Sequence, residues 1–226
     1  MLSLGLLVSA VALKAQDYRG VNPVEQEMRQ VEQQMNQQQM PGGEYDSFDE
    51  GSSANRKESK PRWVEFQYQG GDRYVGYQLN GVNHGLGIYY WADGSRYEGE
   101  FSKDTFAGYG VLYRADNKVV YEGEFKNSQP HGMGTFYYTA GSRYVGEWVN
   151  GVECGSGILY DASSRVVYCG AWNNGKPNGK GIYLWADGRK YIGDFRNGKS
   201  HGNGTLYGAD GKVLFDGVWK DDKPVE

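Results

Sequence analysis

Hydrophobic positions follow three different rhythms along the chain. Residues Leu2 to Leu13 form an uncharged, mostly apolar run that ends in Lys14, Ala15 and Gln16, with small residues Ser9, Ala10, Ala12 and Ala15 close by. A helix of that length covers only ~18 Å, short of a bilayer core of ~30 Å, so the run predicts a cleaved secretory signal over 1–15 rather than a membrane anchor. The expected cut falls between Ala15 and Gln16, although Leu13 fits the small-x-small rule loosely and only the α-amine of Met1 supplies positive charge before the run. A buried N-terminal strand or helix is the alternative.

The second rhythm belongs to a Gln/Glu-rich stretch from Val24 to Met40, where Val24, Met28, Val31 and Met35 are spaced 4, 3 and 4. Heptad spacing this short predicts a marginal helix that orders against a partner or, equally, a disordered polar tail. Pro41 to Pro61 is rich in Gly, Ser and charge and reads as a linker, so 16–61 form a Gln-rich tail ahead of the folded part.

From residue 62 onward apolar and polar positions alternate with period two, in units that repeat. Tyr-x-Gly, or Phe-x-Gly, recurs at Tyr74, Tyr97, Tyr121, Tyr144, Tyr168, Tyr191 and Phe215, at intervals of 23, 24, 23, 24, 23 and 24. An aromatic residue follows the glycine by two in all but the first unit, which has Gln78 there, and a Gly-x-Gly follows the Tyr by 11 and 13. Each unit predicts a β-hairpin with Tyr, Gly and Trp or Phe on one face, the glycine leaving room for the rings to fold over the backbone. The alternating length predicts that longer or bulged turns alternate with tighter ones. Trp63 to Arg73 aligns with the second half of a unit, so the array opens on a half hairpin. The predicted fold is all-β: an elongated single-layer antiparallel sheet of about a dozen strands, six full repeats with partial repeats at its ends, over 62–226.

These motifs resemble the MORN repeat, whose pattern runs approximately Tyr-x-Gly-Glu-Trp-x-Asn-Gly-x-x-x-Gly-x-Gly, followed by an Asp-Gly turn. The segments from Tyr144 (YVGEWVNGVECGSG), Tyr121 (YEGEFKNSQPHGMG) and Trp91 (WADGSRYEGEF) carry the resemblance. It implies a stacked-hairpin fold, and proteins that scaffold, dimerise or sit near membranes. Asp104, Ser128 and Asp222 replace the loop glycine of the pattern, which predicts hairpin tips of a different shape there.

Composition and charge narrow the functional classes. There are 35 glycines, 15% of residues are aromatic and the net charge is −4, so no global positive field draws the chain to nucleic acid. His84, His131 and His201 share one repeat position; His84 and His131 are two units, ~20 Å, apart, too far to share a metal. No cofactor motif stands out, since none of the Gly-x-Gly pairs is a phosphate loop. A paired-carboxylate hydrolase site is left open, but a single layer offers no deep cleft to raise one pKa. Cys154 and Cys169 lie on neighbouring strands about two positions out of register, which leaves a disulfide open in an exported protein.

The aromatic ladder remains. With no second layer to cover it, that face is expected to stay partly accessible, and Tyr97, Tyr121, Tyr144, Trp148, Tyr168, Trp172 and Tyr191 are the expected binding residues. The sequence thus reads as a non-enzymatic binding or scaffolding protein of a bacterial envelope, periplasmic, outer-envelope associated or secreted. Its expected partner is another protein or a second copy. A cell-surface glycan or peptidoglycan is the alternative ligand, and membrane lipid a weaker one.

Overall fold

The structure, a computed structural model, describes residues 60–225. The expected signal segment, Gln-rich stretch and most of the linker lie outside the described residues. Fifteen strands, rather than about a dozen, form one antiparallel sheet in strict sequence order, each pairing only with its chain neighbours. The meander opens with β1 (Arg62–Gln67), β2 (Arg73–Leu79), β3 (Val82–Tyr90), β4 (Arg96–Ser102) and β5 (Thr105–Tyr113). It continues through β6 (Val119–Lys126), β7 (Gln129–Tyr137), β8 (Arg143–Val149), β9 (Val152–Tyr160) and β10 (Val166–Asn173). It closes with β11 (Lys176–Leu184), β12 (Lys190–Arg196), β13 (Lys199–Tyr207), β14 (Val213–Lys220) and β15 (Lys223–Pro224). The half hairpin expected at the start is β1, paired to β2 from Arg62↔Gln78 to Gln67↔Arg73.

Register is pinned by glycine. Gly76 pairs with Gly87, Gly87 with Gly99, and the row continues unbroken to Gly204 and Gly217. The other glycine of each Gly-x-Gly has a separate task. Between Gly99 and Glu100 the pairing skips from Gly110 to Ala107, so Gly108 and Tyr109 bulge out, and Gly108 takes φ +53°. Glu100 then accepts the N–H that the bulge frees at Tyr109 (3.2 Å). Glu124 does the same for Met133, Glu147 for Ser156 and Asp194 for Asn203. The acid after Tyr-x-Gly thus satisfies a backbone donor that would otherwise lack a protein partner.

The 23/24 alternation does not arise in the turns. Every turn closes with the same pair of bonds: Trp91 N–H to Ser95 O in a short unit and Arg114 N–H to Lys118 O in a long one span equal lengths. The extra residue is instead a bulge inside the following strand, at Val120, Val167 and Leu214, where the register shifts on β6, β10 and β14. A bulge is preferred because the turn needs one residue with positive φ, such as Gly94 at +86° or Asn117 at +62°, at a fixed place. The 47-residue superrepeat also marks the face opposite the ladder. There Arg96 stacks on Tyr113 at 3.8 Å, Arg143 on Tyr160 at 4.0 Å and Lys190 on Tyr207 at 4.8 Å.

The hairpin tips at Asp104, Ser128 and Asp222 do not differ in shape from the others. All have φ between +62° and +69°, close to Gly151 at +79°, and all follow a residue that also has positive φ. Side-chain acceptors explain the substitution. From Asp104 onward each tip N–H donates to the preceding hairpin, Asp104 N to Asn83 O and Gly151 N to Pro130 O for example. At three of the four tips that meet a residue with a backbone N–H, the tip side chain accepts it: Asn83 N donates to Asp104, Phe106 N to Ser128 and Ser200 N to Asp222; Gly175, which meets Glu153, has no side chain to do so. Opposite Pro130 and Pro177, which have no N–H, the tips are Gly151 and Gly198.

Candidate functional site: the aromatic face

Each ladder tyrosine folds flat along its own strand. Tyr97 lies over Gly99 and the facing Gly110, and its hydroxyl donates to Glu100 O at 3.0 Å. The same three-residue reach ties Tyr74 to Tyr77 O, Tyr121 to Glu124 O, Tyr144 to Glu147 O, Tyr168 to Ala171 O and Tyr191 to Asp194 O. The aromatic of the same unit and that of the next close the sides edge-on, as Trp148 and Trp172 do around Tyr144 at 5.3 and 4.8 Å. Trp148, Trp172 and Trp219 donate their indole N–H to Gly134, Gly157 and Gly204 carbonyls. Burial holds the ladder phenols protonated well above their ordinary range; for Tyr168 and Tyr191 the value is pushed up to about 12.

The ladder is therefore a core and not an open surface. Tyr97, Tyr144, Tyr168 and Tyr191 are 0% exposed, Tyr121 1%, Trp148 4% and Trp172 8%, against the expectation of partial accessibility. A ring that rests on two glycines has the backbone beneath it and its neighbours' rings around it, so a single layer buries it without a second sheet.

What stays accessible on this face is a set of half-buried residues packed on the ladder. Tyr89, Phe136 and Tyr183 alternate with Leu112, Leu159 and Leu206 as cross-strand partners of the tyrosines. At the turns, Trp91, Tyr138 and Trp185 alternate with Arg114, Asp161 and Gly208. The result is ridges of two aromatic rings separated by troughs floored with leucine, with a ridge every four strands, ~19 Å. Two ridge phenols are anchored: Tyr89 donates to Asp72 at 2.7 Å and Tyr138 to Glu153 at 2.9 Å. The recurrence of Trp91, Tyr138 and Trp185 at 47-residue spacing is the sequence signal that would have singled these residues out.

Cys154 and Cys169 are both free. Cys169 pairs with Ile158, four residues from Cys154, which puts the two roughly 12 Å apart along the strands, beyond disulfide reach. The bulge at Val167 adds one residue to the offset that a simple count across the turn misses. His84, His131 and His201 sit on β3, β7 and β13, three separate hairpins.

A family model described as MORN repeat matches residues 74–96, 97–119, 121–143, 144–164, 168–188 and 191–213. Among solved structures the chain is similar to the SAS-4 (dCPAP) TCP domain in complex with a Proline Rich Motif of Ana2 (dSTIL) of Drosophila Melanogaster. The identity is 12% and the TM-score 0.40, covering 75% of this chain and 96% of that chain. No curated protein matches.

Proposed function

The chain belongs to the MORN-repeat family, a repeat-based binding module, and from that premise we propose that it is a non-enzymatic scaffold of the cell envelope that holds a protein partner on its aromatic face. The observation that carries the reading is the ridged surface of Tyr89, Trp91, Phe136, Tyr138, Tyr183 and Trp185, half-buried rings on one continuous face. In this reading the seven ladder residues named from the sequence build the floor, and the ridges make contact. Half-buried aromatics over a rigid floor lose little side-chain entropy on binding, which suits them as anchors. Export rests on the apolar segment Leu2 to Leu13, and predicts a mature N-terminus at Gln16, read by N-terminal sequencing of the native protein.

The test of the binding face is the double variant Trp91→Ala, Trp185→Ala. Proteins captured from envelope extracts by the wild-type chain are identified, purified and titrated against both chains, with peptidoglycan and polysaccharide co-sedimentation in parallel. At least a tenfold loss of partner affinity, with unchanged circular dichroism, is expected. A folded double variant that binds every such partner as tightly as wild type overturns the reading, and sedimentation with glycan alone would replace it.

A further inference from the structure

Glu153 occupies the tip-side position of the aromatic face at which other hairpins carry Asn83, Phe106, Pro130, Pro177 and Ser200. It is half-buried and lies directly across from Trp148. Its Oε1 accepts the Tyr138 hydroxyl at 2.9 Å; its Oε2 takes no hydrogen bond, and no cation pairs with it, among the described residues. Phe136 packs against both Tyr138 and Trp148, with ring centroids at 4.9 and 6.1 Å. Gly175, at the tip of the next hairpin, keeps the space beside Oε2 open, since a Cβ there would stand 3.2 Å from that oxygen.

A carboxylate with one oxygen bonded and the other available, set beside aromatic rings, can accept a charged donor. Among the other acids by the ladder, Asp161 pairs with Arg165 at 2.7 Å and Asp72 takes a bond on each oxygen, from Tyr89 and from Ala92 N–H; Asp104 and Asp222 each bind a backbone N–H at a hairpin tip, from Asn83 and Ser200, and not a ring hydroxyl. The complement that suits Glu153 is a cation that can lie against a ring face while donating to Oε2. A guanidinium does both, being planar, weakly hydrated and rich in donors.

We propose that Glu153, with Tyr138 and Phe136, forms a subsite at the centre of the array that takes an arginine side chain of the protein partner. The inference rests on the reading of the aromatic face as the partner surface, and it adds the partner's chemistry: an exposed segment presenting arginine.

The probe is N-acetyl-arginine methylamide, titrated into the full chain and followed by NMR at the Tyr138 and Phe136 rings. Its uncharged near-isostere, N-acetyl-citrulline methylamide, is the control. Saturable shifts at these rings with the arginine compound, at least fivefold weaker with citrulline, are expected. Glu153→Gln keeps an acceptor for the Tyr138 hydroxyl and should cut the arginine affinity at least fivefold with the melting temperature unchanged. Equal titration by both compounds, or none by arginine, overturns the proposal in the wild-type chain alone, whatever the variant does. Loss of the subsite leaves the Trp91 and Trp185 experiment untouched; partner binding that survives that double variant while arginine still titrates Glu153 overturns the face and keeps the subsite.

Discussion

Replacing Gly87 by alanine adds one methyl group where the ladder has no room for it. A Cβ on Gly87 would sit 2.5 Å from the Tyr74 hydroxyl oxygen, 2.6 Å from Cε2 and 2.7 Å from Cζ, so the ring must lift by about 1 Å to restore contact distance. Lifting it breaks the 2.7 Å bond to Tyr77 O and opens a residue that is 0% exposed. Overpacking costs ~1–3 kcal/mol and the lost bond about 1, so the variant should lose ~2–4 kcal/mol. Gly81 is the control: at φ +83° with nothing within 4 Å, alanine there meets only the backbone cost of a left-handed residue, roughly 1–2 kcal/mol. The decisive comparison is a double-mutant cycle. Tyr74→Ala alone should cost about 3–5 kcal/mol, but Gly87→Ala on top of it only ~0–1, a coupling of about 1–4 kcal/mol. Urea unfolding by circular dichroism, with hydrogen exchange at β2 and β3 amides, reads each variant. Additive effects, or a Gly87→Ala chain within ~0.5 kcal/mol of wild type, refute the claim that the glycine exists to seat the ring.

The tip rule predicts that the family-pattern residue is wrong for this chain at one position: Asp104→Gly relieves a left-handed residue but orphans the buried Asn83 N–H, for a net loss of about 1 kcal/mol in melts; a gain refutes it. The Lys180 ammonium, with the Asn203 N–H, holds the Asp194 carboxyl below its usual range, so its contribution is present above ~pH 4 and fades as pH falls toward that lowered value. Asp194→Asn should flatten this part of the acid limb in melts between pH 2 and 6, and an unchanged limb counts against the pairing. Both thiols should alkylate without reductant, exposed Cys169 faster than Cys154, whose thiol is pushed up by burial and then by the Glu147 charge. A mass two hydrogens short, with neither alkylated, contradicts the register.

Repetition and local chemistry are properties of the chain itself, and they determined the array. Tyr-x-Gly at 23 and 24, a glycine between two aromatics, and Asn-Gly at the tips specify paired strands, one aromatic face and a meander that contacts only its neighbours. Those inferences need only dihedral preferences and period-two geometry, both set within a few residues. Pairing across strands decided the rest. Whether Tyr144 is exposed depends on Gly157 in the next strand and Trp172 in the next unit; whether Asp104 distorts its tip depends on the N–H of a residue 21 earlier. Cys169 faces Ile158 and not Cys154 because the turn pairs Val166 with Tyr160 and a bulge at Val167 then moves the register one residue further, and that bulge is not visible in spacing alone. The accessible surface passed from the ladder to Tyr138 and its counterparts for the same reason: which of two stacked rings lies beneath is fixed by what the neighbouring hairpin puts against it.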